Sequence, residues 1–302
     1  MNSIVETLHD ALEAGRTNPQ VLMQKCSDFG YTPLHTACDE FSNLEVIEAL
    51  VDACPKALEE TCVFGFTPID LAMKQLGGSI EGERREAEVL AYLLDRFPGK
   101  HLTLKAGYMN CSLGPETSRT LGNSHTLTSL DLTRVHLSPE ALVALFSRLE
   151  TNTALLDLTV NFFEGINDTV CTALKTMLIR NTTLLRLTLR VRLFEDATRE
   201  SIQSTLEVAM GVNETLQYLT LEMVPQIQLR LLMRQHNHAE AQFEVDRSRI
   251  DFFLGLNRGG RAKLRNPNAT KREFFQTICA ACSCDLTITY ILLSMAPHLW
   301  AK

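Results

Sequence analysis

The sequence predicts an α-helical solenoid followed by an α/β solenoid, the second with a short parallel sheet on its concave face and helices outside, and a helical C-terminal cap. Three observations carry this reading: a nine-residue motif that recurs 35 positions later, a leucine triplet of strand periodicity that occurs four times, and a strongly apolar C-terminal segment. Repeats of roughly 20–50 residues mark units that bury a hydrophobic face only by stacking on one another.

The nine-residue motif is Gly30-Tyr31-Thr32-Pro33-Leu34-His35-Thr36-Ala37-Cys38, and it returns as Gly65-Phe66-Thr67-Pro68-Ile69-Asp70-Leu71-Ala72-Met73. Thr-Pro suits a helix start, because the hydroxyl accepts an orphan amide hydrogen bond and proline has no amide to leave unpaired. The glycine ahead of each Thr-Pro permits a tight turn. A second helix follows each motif. One is predicted over 44–53, with Val46, Ile47 and Leu50 inward, the other over 85–97, with Val89, Leu90, Leu93 and Leu94 inward.

These residues resemble the ankyrin repeat, whose signature is Gly-x-Thr-Pro-Leu-His-x-Ala. The first copy matches every fixed position, and the second has Ile69-Asp70 in place of Leu-His. Residues 2–27 resemble a degenerate capping repeat, so the resemblance spans 1–98. It implies a scaffold that binds another protein through its finger tips and inner helices, and that His35 bonds the neighbouring finger. The candidate contact residues are then Asp28, Tyr31, Asp39, Glu40, Phe64, Phe66 and Lys74. Tyr31 and Phe66 occupy the variable position of the motif, where an aromatic is either an exposed interface anchor or a packing contact between fingers.

The triplets are Leu127-x-x-Leu130-x-Leu132, Leu155-x-x-Leu158-x-Val160, Leu184-x-x-Leu187-x-Leu189 and Leu216-x-x-Leu219-x-Leu221, set 28, 29 and 32 positions apart. Alternation within each predicts a strand, and the stretches between them read as helices. Ser138-Pro139-Glu140 opens one, with Leu142, Leu145, Phe146 and Leu149 at helical spacing; 168–179 and 196–210 are the next two. Asn152, Asn181 and Asn213 each precede a triplet by three residues, where they close the preceding helix and turn the chain. The pattern resembles the long, ribonuclease-inhibitor-like form of the leucine-rich repeat over 99–225, with 102–104 as an atypical opening strand. The residue nine places into each unit, Asn or Cys in that family, is Val135, Phe163, Arg192 and Val224 here. The resemblance therefore implies an irregular array without the buried asparagine ladder.

Strand alternation directs Ser129, Asp131, Thr133, Asp157, Thr159, Asn161, Arg186, Thr188, Arg190, Tyr218, Thr220 and Glu222 to the concave face. That polar, mixed-sign surface suits a polar protein partner or a solvated sheet face equally.

Residues 226–302 read as a terminal repeat and helical cap. Residues 251–257 fit a last strand or a short helix, with the strand preferred, and two apolar helices are predicted near 270–282 and 285–295. Arg258, Arg261, Lys263, Arg265, Lys271 and Arg272 form a basic cluster, compatible with nucleic acid or with attraction to the acidic first hundred residues, although no aromatic alternates with them to stack bases. Gly255-x-x-x-Gly259-Gly260 lacks the Lys-Ser/Thr ending of a phosphate loop and reads as a turn. Cys279, Cys282 and Cys284 lack further zinc ligands nearby and read as buried thiols; His236 and His238 read as a solvated loop.

Composition sets the outer limits. The chain has 302 residues, 45% apolar, with formal charge −7, values of a folded globular protein. That charge conceals 8 basic against 17 acidic residues over 1–100, and 11 against 6 over 226–302. No basic start followed by an apolar run opens the chain, and no uninterrupted apolar run reaches the roughly 20 residues that span a bilayer. The nine scattered cysteines read as reduced thiols of a cytoplasmic, or alternatively nuclear, protein. No Gly-x-Ser-x-Gly elbow, His-Glu-x-x-His helix or kinase motif is present, so no catalytic residue, metal, cofactor or small-molecule substrate is expected. The functional expectation is a non-enzymatic protein-interaction scaffold. The alternatives are a nucleic-acid-associated factor and, third, a substrate-recognition subunit or immune-type sensor.

Overall fold

In the computed structural model of the protein, residues 2–25, 27–40, 43–73, 80–104, 112–162, 167–191, 196–223 and 248–259 are described. Helix starts follow from capping chemistry. Thr32, Thr67, Ser138 and Asn167 each accept a hydrogen bond from the amide three residues on, opening α2 (Pro33–Asp39), α4 (Pro68–Ala72), α7 (Pro139–Leu149) and α8 (Asp168–Arg180). Around α2 and α4 lie α1 (Asn2–Thr17), α3 (Leu44–Ala53) and α5 (Ile80–Arg96), with short 3-10 turns at Pro19–Met23 and Pro55–Glu59.

Beyond α5 the chain alternates strands and helices. In order these are β1 (His101–Thr103), β2 (Ser112–Leu113), α6 (Pro115–Asn123), β3 (Ser129–Leu132), β4 (His136–Leu137), α7, β5 (Asp157–Phe162), α8, β6 (Arg186–Val191), α9 (Asp196–Val212), β7 (Tyr218–Met223) and α10 (Ser248–Gly259). The protein is thus mostly helical with one five-stranded sheet, ordered β1-β3-β5-β6-β7 and parallel throughout. Its register superposes the triplets: Leu130, Leu158, Leu187 and Leu219 align across the sheet, as do Leu132, Val160, Leu189 and Leu221. A two-stranded parallel pair, β2 with β4, lies beyond the reach of periodicity because each strand has two residues.

One continuous apolar core runs from Leu8 through Leu90, Leu93 and Leu94 of α5 to Leu102, Leu113 and Leu121, and on to Leu254. The join is sealed by polar bonds as well. The Glu116 amide donates to Glu83 Oε1 at 2.6 Å, and the Thr126 hydroxyl donates to the Leu94 carbonyl at 3.2 Å. Glu86, buried on α5, has its carboxyl pushed up to about 7 by burial and by neighbouring Glu83.

A buried asparagine ladder is present, at a place other than the ninth position where the family carries its own. Of the ninth positions, Val135 is simply buried, and Phe163, Arg192 and Val224 lie outside the described residues. The rungs are instead the asparagines that precede the strands. Asn152 Nδ2 donates to the carbonyls of Gly122 and Ser124, Asn181 Nδ2 to those of Leu149 and Asn152, and Asn213 Nδ2 to those of Leu178 and Asn181. Each Oδ1 accepts two amides of its own turn, those of Ala154 and Leu155, Thr183 and Leu184, and Thr215 and Leu216. Each side chain thereby closes its own turn and bolts it to the preceding one, so backbone groups that have no sheet partner are satisfied without water.

Residues 251–257 are helical, not a strand, and Gly255 lies within the helix rather than in a turn. Ile250, Leu254 and Asn257 are buried at helical spacing, and Asn257 Nδ2 reaches the carbonyls of Asn213 and Leu216 at 3.0 and 2.7 Å. Asn257 thereby adds a further rung to the ladder from within the helix. The helices predicted near 270–282 and 285–295, Cys279, Cys282 and Cys284, and His236 and His238 lie outside the described residues.

Candidate interaction surface

Two tight turns build the most exposed apolar feature of the described structure. In the first, the Gly30 amide donates to the Ser27 carbonyl at 2.8 Å and the Tyr31 amide to Ser27 Oγ at 3.0 Å. In the second, the Gly65 amide donates to the Cys62 carbonyl at 2.9 Å. Gly30 and Gly65 have φ of 69° and 76°, left-handed backbone that side chains disfavour. The two central residues of each turn, Asp28-Phe29 and Val63-Phe64, therefore stand at the tips of adjacent fingers.

Three bonds hold the fingers in parallel. The Val63 amide donates to the Phe29 carbonyl at 2.9 Å, Lys25 Nζ to the Thr61 carbonyl at 2.8 Å, and His35 Nε2 to the Phe66 carbonyl at 3.1 Å. His35 Nδ1 accepts from the Thr32 amide, so the ring is neutral with its proton on Nε2. Burial holds this imidazole below its ordinary value, opposed in part by the bond to Phe66. Asp70, at the equivalent place, closes its own cap by accepting from the Thr67 amide at 2.8 Å. As a carboxylate it has no proton to offer the carbonyl of a following finger.

Aromatic rings line the tips in one row. Centroids of Tyr31 and Phe29 are 5.7 Å apart, Phe29 and Phe64 5.9 Å, and Phe64 and Phe66 6.4 Å. Phe29, Phe64 and Val63 are 53%, 58% and 72% exposed. Of the seven large apolar side chains exposed among the described residues, these three sit together. Phe64 was anticipated; Phe29 and Val63 were not, although Phe29 is the 35-residue equivalent of Phe64 and the repeat itself carries that signal.

Tyr31 and Phe66, for which anchor and packing contact were both open, make packing contacts. Tyr31 is half-buried and stacks on His35 with centroids 5.7 Å apart and planes 15° apart, and Phe66 also packs against the core. They brace the fingers and flank the exposed pair. Asp28 and Glu40 are exposed, Asp39 is half-buried, and Lys74 lies outside the described residues.

The sheet face gathers the strand residues into rows. Ser129, Asp157, Arg186 and Tyr218 align in one, and Asp131, Thr159, Thr188 and Thr220 in the next. Arg186, Tyr218 and Thr220 are exposed, whereas Ser129, Asp131, Thr133, Asp157, Thr159, Thr188 and Arg190 are half-buried. Asp131 Oδ1 accepts from the Thr133 amide at 2.9 Å and so shapes the strand end. Asn161 is a correction: it is fully buried and its Nδ2 donates to the Thr133 carbonyl, so burial departs from alternation at the end of β5 and Asn161 is not offered to a partner. Glu222 aligns with Arg190 in the register; its side chain is outside the described set.

Two guanidinium groups lie over the ring of Tyr218. Arg186 is 5.4 Å and Arg258 5.6 Å from its ring centroid. Arg186 also pairs with Asp157 at 2.9 Å, which raises its affinity for its proton, and Arg258 donates to the Gln217 carbonyl at 2.8 Å. Of the basic cluster only Arg258 is placed; Arg261, Lys263, Arg265, Lys271 and Arg272 lie outside the described residues.

Cys38, Cys54, Cys62 and Cys171 are free and buried, and burial pushes the Cys38 thiol well up, so it packs as a small apolar group. Among the described residues no group of three His, Cys, Asp or Glu side chains is placed to hold a metal ion, and no helix is long and apolar enough to cross a membrane.

The Ankyrin repeat family model matches residues 29–58, which begin at Phe29, take in α2 and α3 and end within the 3-10 turn after them. No curated protein and no solved structure matches the chain.

Proposed function

We propose that this protein is a non-enzymatic protein–protein interaction scaffold whose primary contact surface is the pair of finger tips carrying Phe29, Val63 and Phe64. The observation that carries this is the clustering of three exposed apolar side chains on a turn framework that is itself rigidly bonded. Exposed apolar patches on a folded protein mark interaction sites, and aromatic anchors dominate such interfaces. The ankyrin match over 29–58 supports the same class, since that repeat is typically a non-catalytic binding module.

In this reading residues 1–98 form an ankyrin array, 99–225 a leucine-rich segment of ribonuclease-inhibitor-like type, and 226–302 a terminal repeat and cap. The aligned triplets and the recurring buried asparagines support the middle assignment. The sheet face around Arg186, Tyr218 and Thr220 is a second, polar contact surface.

Affinity capture with the wild-type chain and with F29A/F64A tests the reading. Both side chains are exposed, so the variant folds, and partners captured by the wild type are lost. Identical capture profiles would remove the finger tips as the contact surface.

A further inference from the structure

The finger tips offer a chemistry narrower than protein binding in general. Phe29 and Phe64 hold equivalent places in two turns, their centroids 5.9 Å apart and more than half of each side chain open to solvent. An extended chain sets every second side chain about 6.6 Å apart on one face. A strand laid across the fingers therefore meets one ring for every two residues.

Charge decides what those residues are. Asp28 shares the tip with Phe29, is exposed, and has no ion-pair partner among the described residues. Lys25, the cation that reaches the second finger, is already engaged by Glu60 at 3.6 Å and by the Thr61 carbonyl. The surface thus presents exposed aromatic rings, whose faces are negative at their centres, beside an uncompensated carboxylate. A guanidinium satisfies both, because it lies flat on a ring and donates in its own plane to a carboxylate; an ammonium stacks less well. A purely apolar segment would cover Asp28 without a partner, and an acidic one would be repelled.

The same combination occurs twice among the described residues. Arg96 lies 4.9 Å from the Tyr92 centroid and pairs with Asp52 at 2.5 Å; Arg186 lies over Tyr218 and pairs with Asp157. In each, ring and carboxylate share one guanidinium. At the finger tip the ring and the carboxylate are present and the guanidinium is what a partner brings.

We propose that the Phe29–Phe64 strip docks an extended, arginine-bearing segment of a partner protein, its guanidinium lying on a finger-tip ring and pairing with Asp28. This rests on the interaction reading above and narrows it to one class of partner.

Four fluorescein-labelled octapeptides, alternating glycine with arginine, lysine, leucine or glutamate, are titrated by anisotropy against the full chain at physiological salt. The arginine peptide binds tightest, and F29L/F64L, which keeps apolar bulk but removes the rings, weakens it about fivefold or more. D28N weakens it as well, while the circular dichroism melt of each variant matches the wild type. Equal binding of the arginine and lysine peptides, or arginine binding indifferent to F29L/F64L, would overturn the proposal in favour of general charge attraction. Phe-dependent preference for the leucine or glutamate peptide would overturn the arginine class while leaving the fingers as a contact surface. Absence of any Phe-dependent binding would overturn the proposal outright, and the affinity capture then decides the interaction reading separately.

Discussion

Replacing Asn181 by alanine tests the ladder at its middle rung. The side chain makes four hydrogen bonds: Nδ2 to the carbonyls of Leu149 at 2.6 Å and Asn152 at 3.3 Å, and Oδ1 from the amides of Thr183 at 2.9 Å and Leu184 at 2.7 Å. At a net contribution of about 1 kcal/mol each, with a further penalty for amides left buried and unpaired, Asn181→Ala destabilises by about 3–5 kcal/mol. Asn181→Asp separates the two halves of the function. Its oxygens still accept both amides, but as a carboxylate it cannot donate and faces two carbonyls. Its folded-state pKa is therefore raised, and the destabilisation at neutral pH is relieved as pH falls and the carboxyl protonates. Urea denaturation followed by circular dichroism at pH 7.5 and pH 4.5 measures both, with exposed Thr182→Ala as the near-neutral control. A loss below about 1 kcal/mol for Asn181→Ala would refute the ladder as a principal source of stability.

Three further outcomes follow from named groups. His35 has a folded pKa below its ordinary 6.5, so the folded state binds fewer protons; its contribution is complete above about pH 6.5 and is lost as pH falls below it. Melting curves from pH 8 to 5 then decline more steeply for the wild type than for His35→Gln, and parallel declines would contradict the neutral bridge to Phe66. Glu86 has the opposite sign, since its raised pKa favours the protonated folded state below 4.5 and costs stability as pH rises to about 7. Glu86→Gln accordingly stabilises at pH 8 by about 1–2 kcal/mol after allowance for solvent screening, and makes no difference near pH 4. Arg258→Ala removes one guanidinium from Tyr218 and the bond to the Gln217 carbonyl, so hydrogen exchange quickens in α10 and not in α7; unchanged exchange in α10 would count against that contact as its anchor.

Much of the fold was legible because its signals are local. Thr32-Pro33, Thr67-Pro68 and Ser138-Pro139 announce helix starts by caps that reach only three residues, and the triplets announce strands by alternation. What escaped depends on distance or on a broken local rule. The asparagine ladder was sought at the ninth position of each unit, yet its bonds join residues about one repeat apart, which composition and periodicity do not register. Residues 251–257 have too few side chains to separate two periodicities, and Asn257 bonds to a partner 44 residues away. Asn161 obeys alternation in sequence yet is buried, its Nδ2 bonded to the Thr133 carbonyl 28 residues away. At the candidate site, sequence left Tyr31 and Phe66 open between interface anchor and packing contact, a choice that only stacking on His35 and contact with the core inform, while Phe29 went unread although the repeat pairs it with Phe64.

The central claim is that partners meet the finger tips. A photo-crosslinking residue placed at Phe64, compared with the same residue at exposed Val208 on α9, tests it most directly. The account predicts a crosslinked partner from position 64, diminished by F29A in the same chain, and none from position 208. Crosslinking from 208 alone, or from 64 without any effect of Phe29, would contradict it.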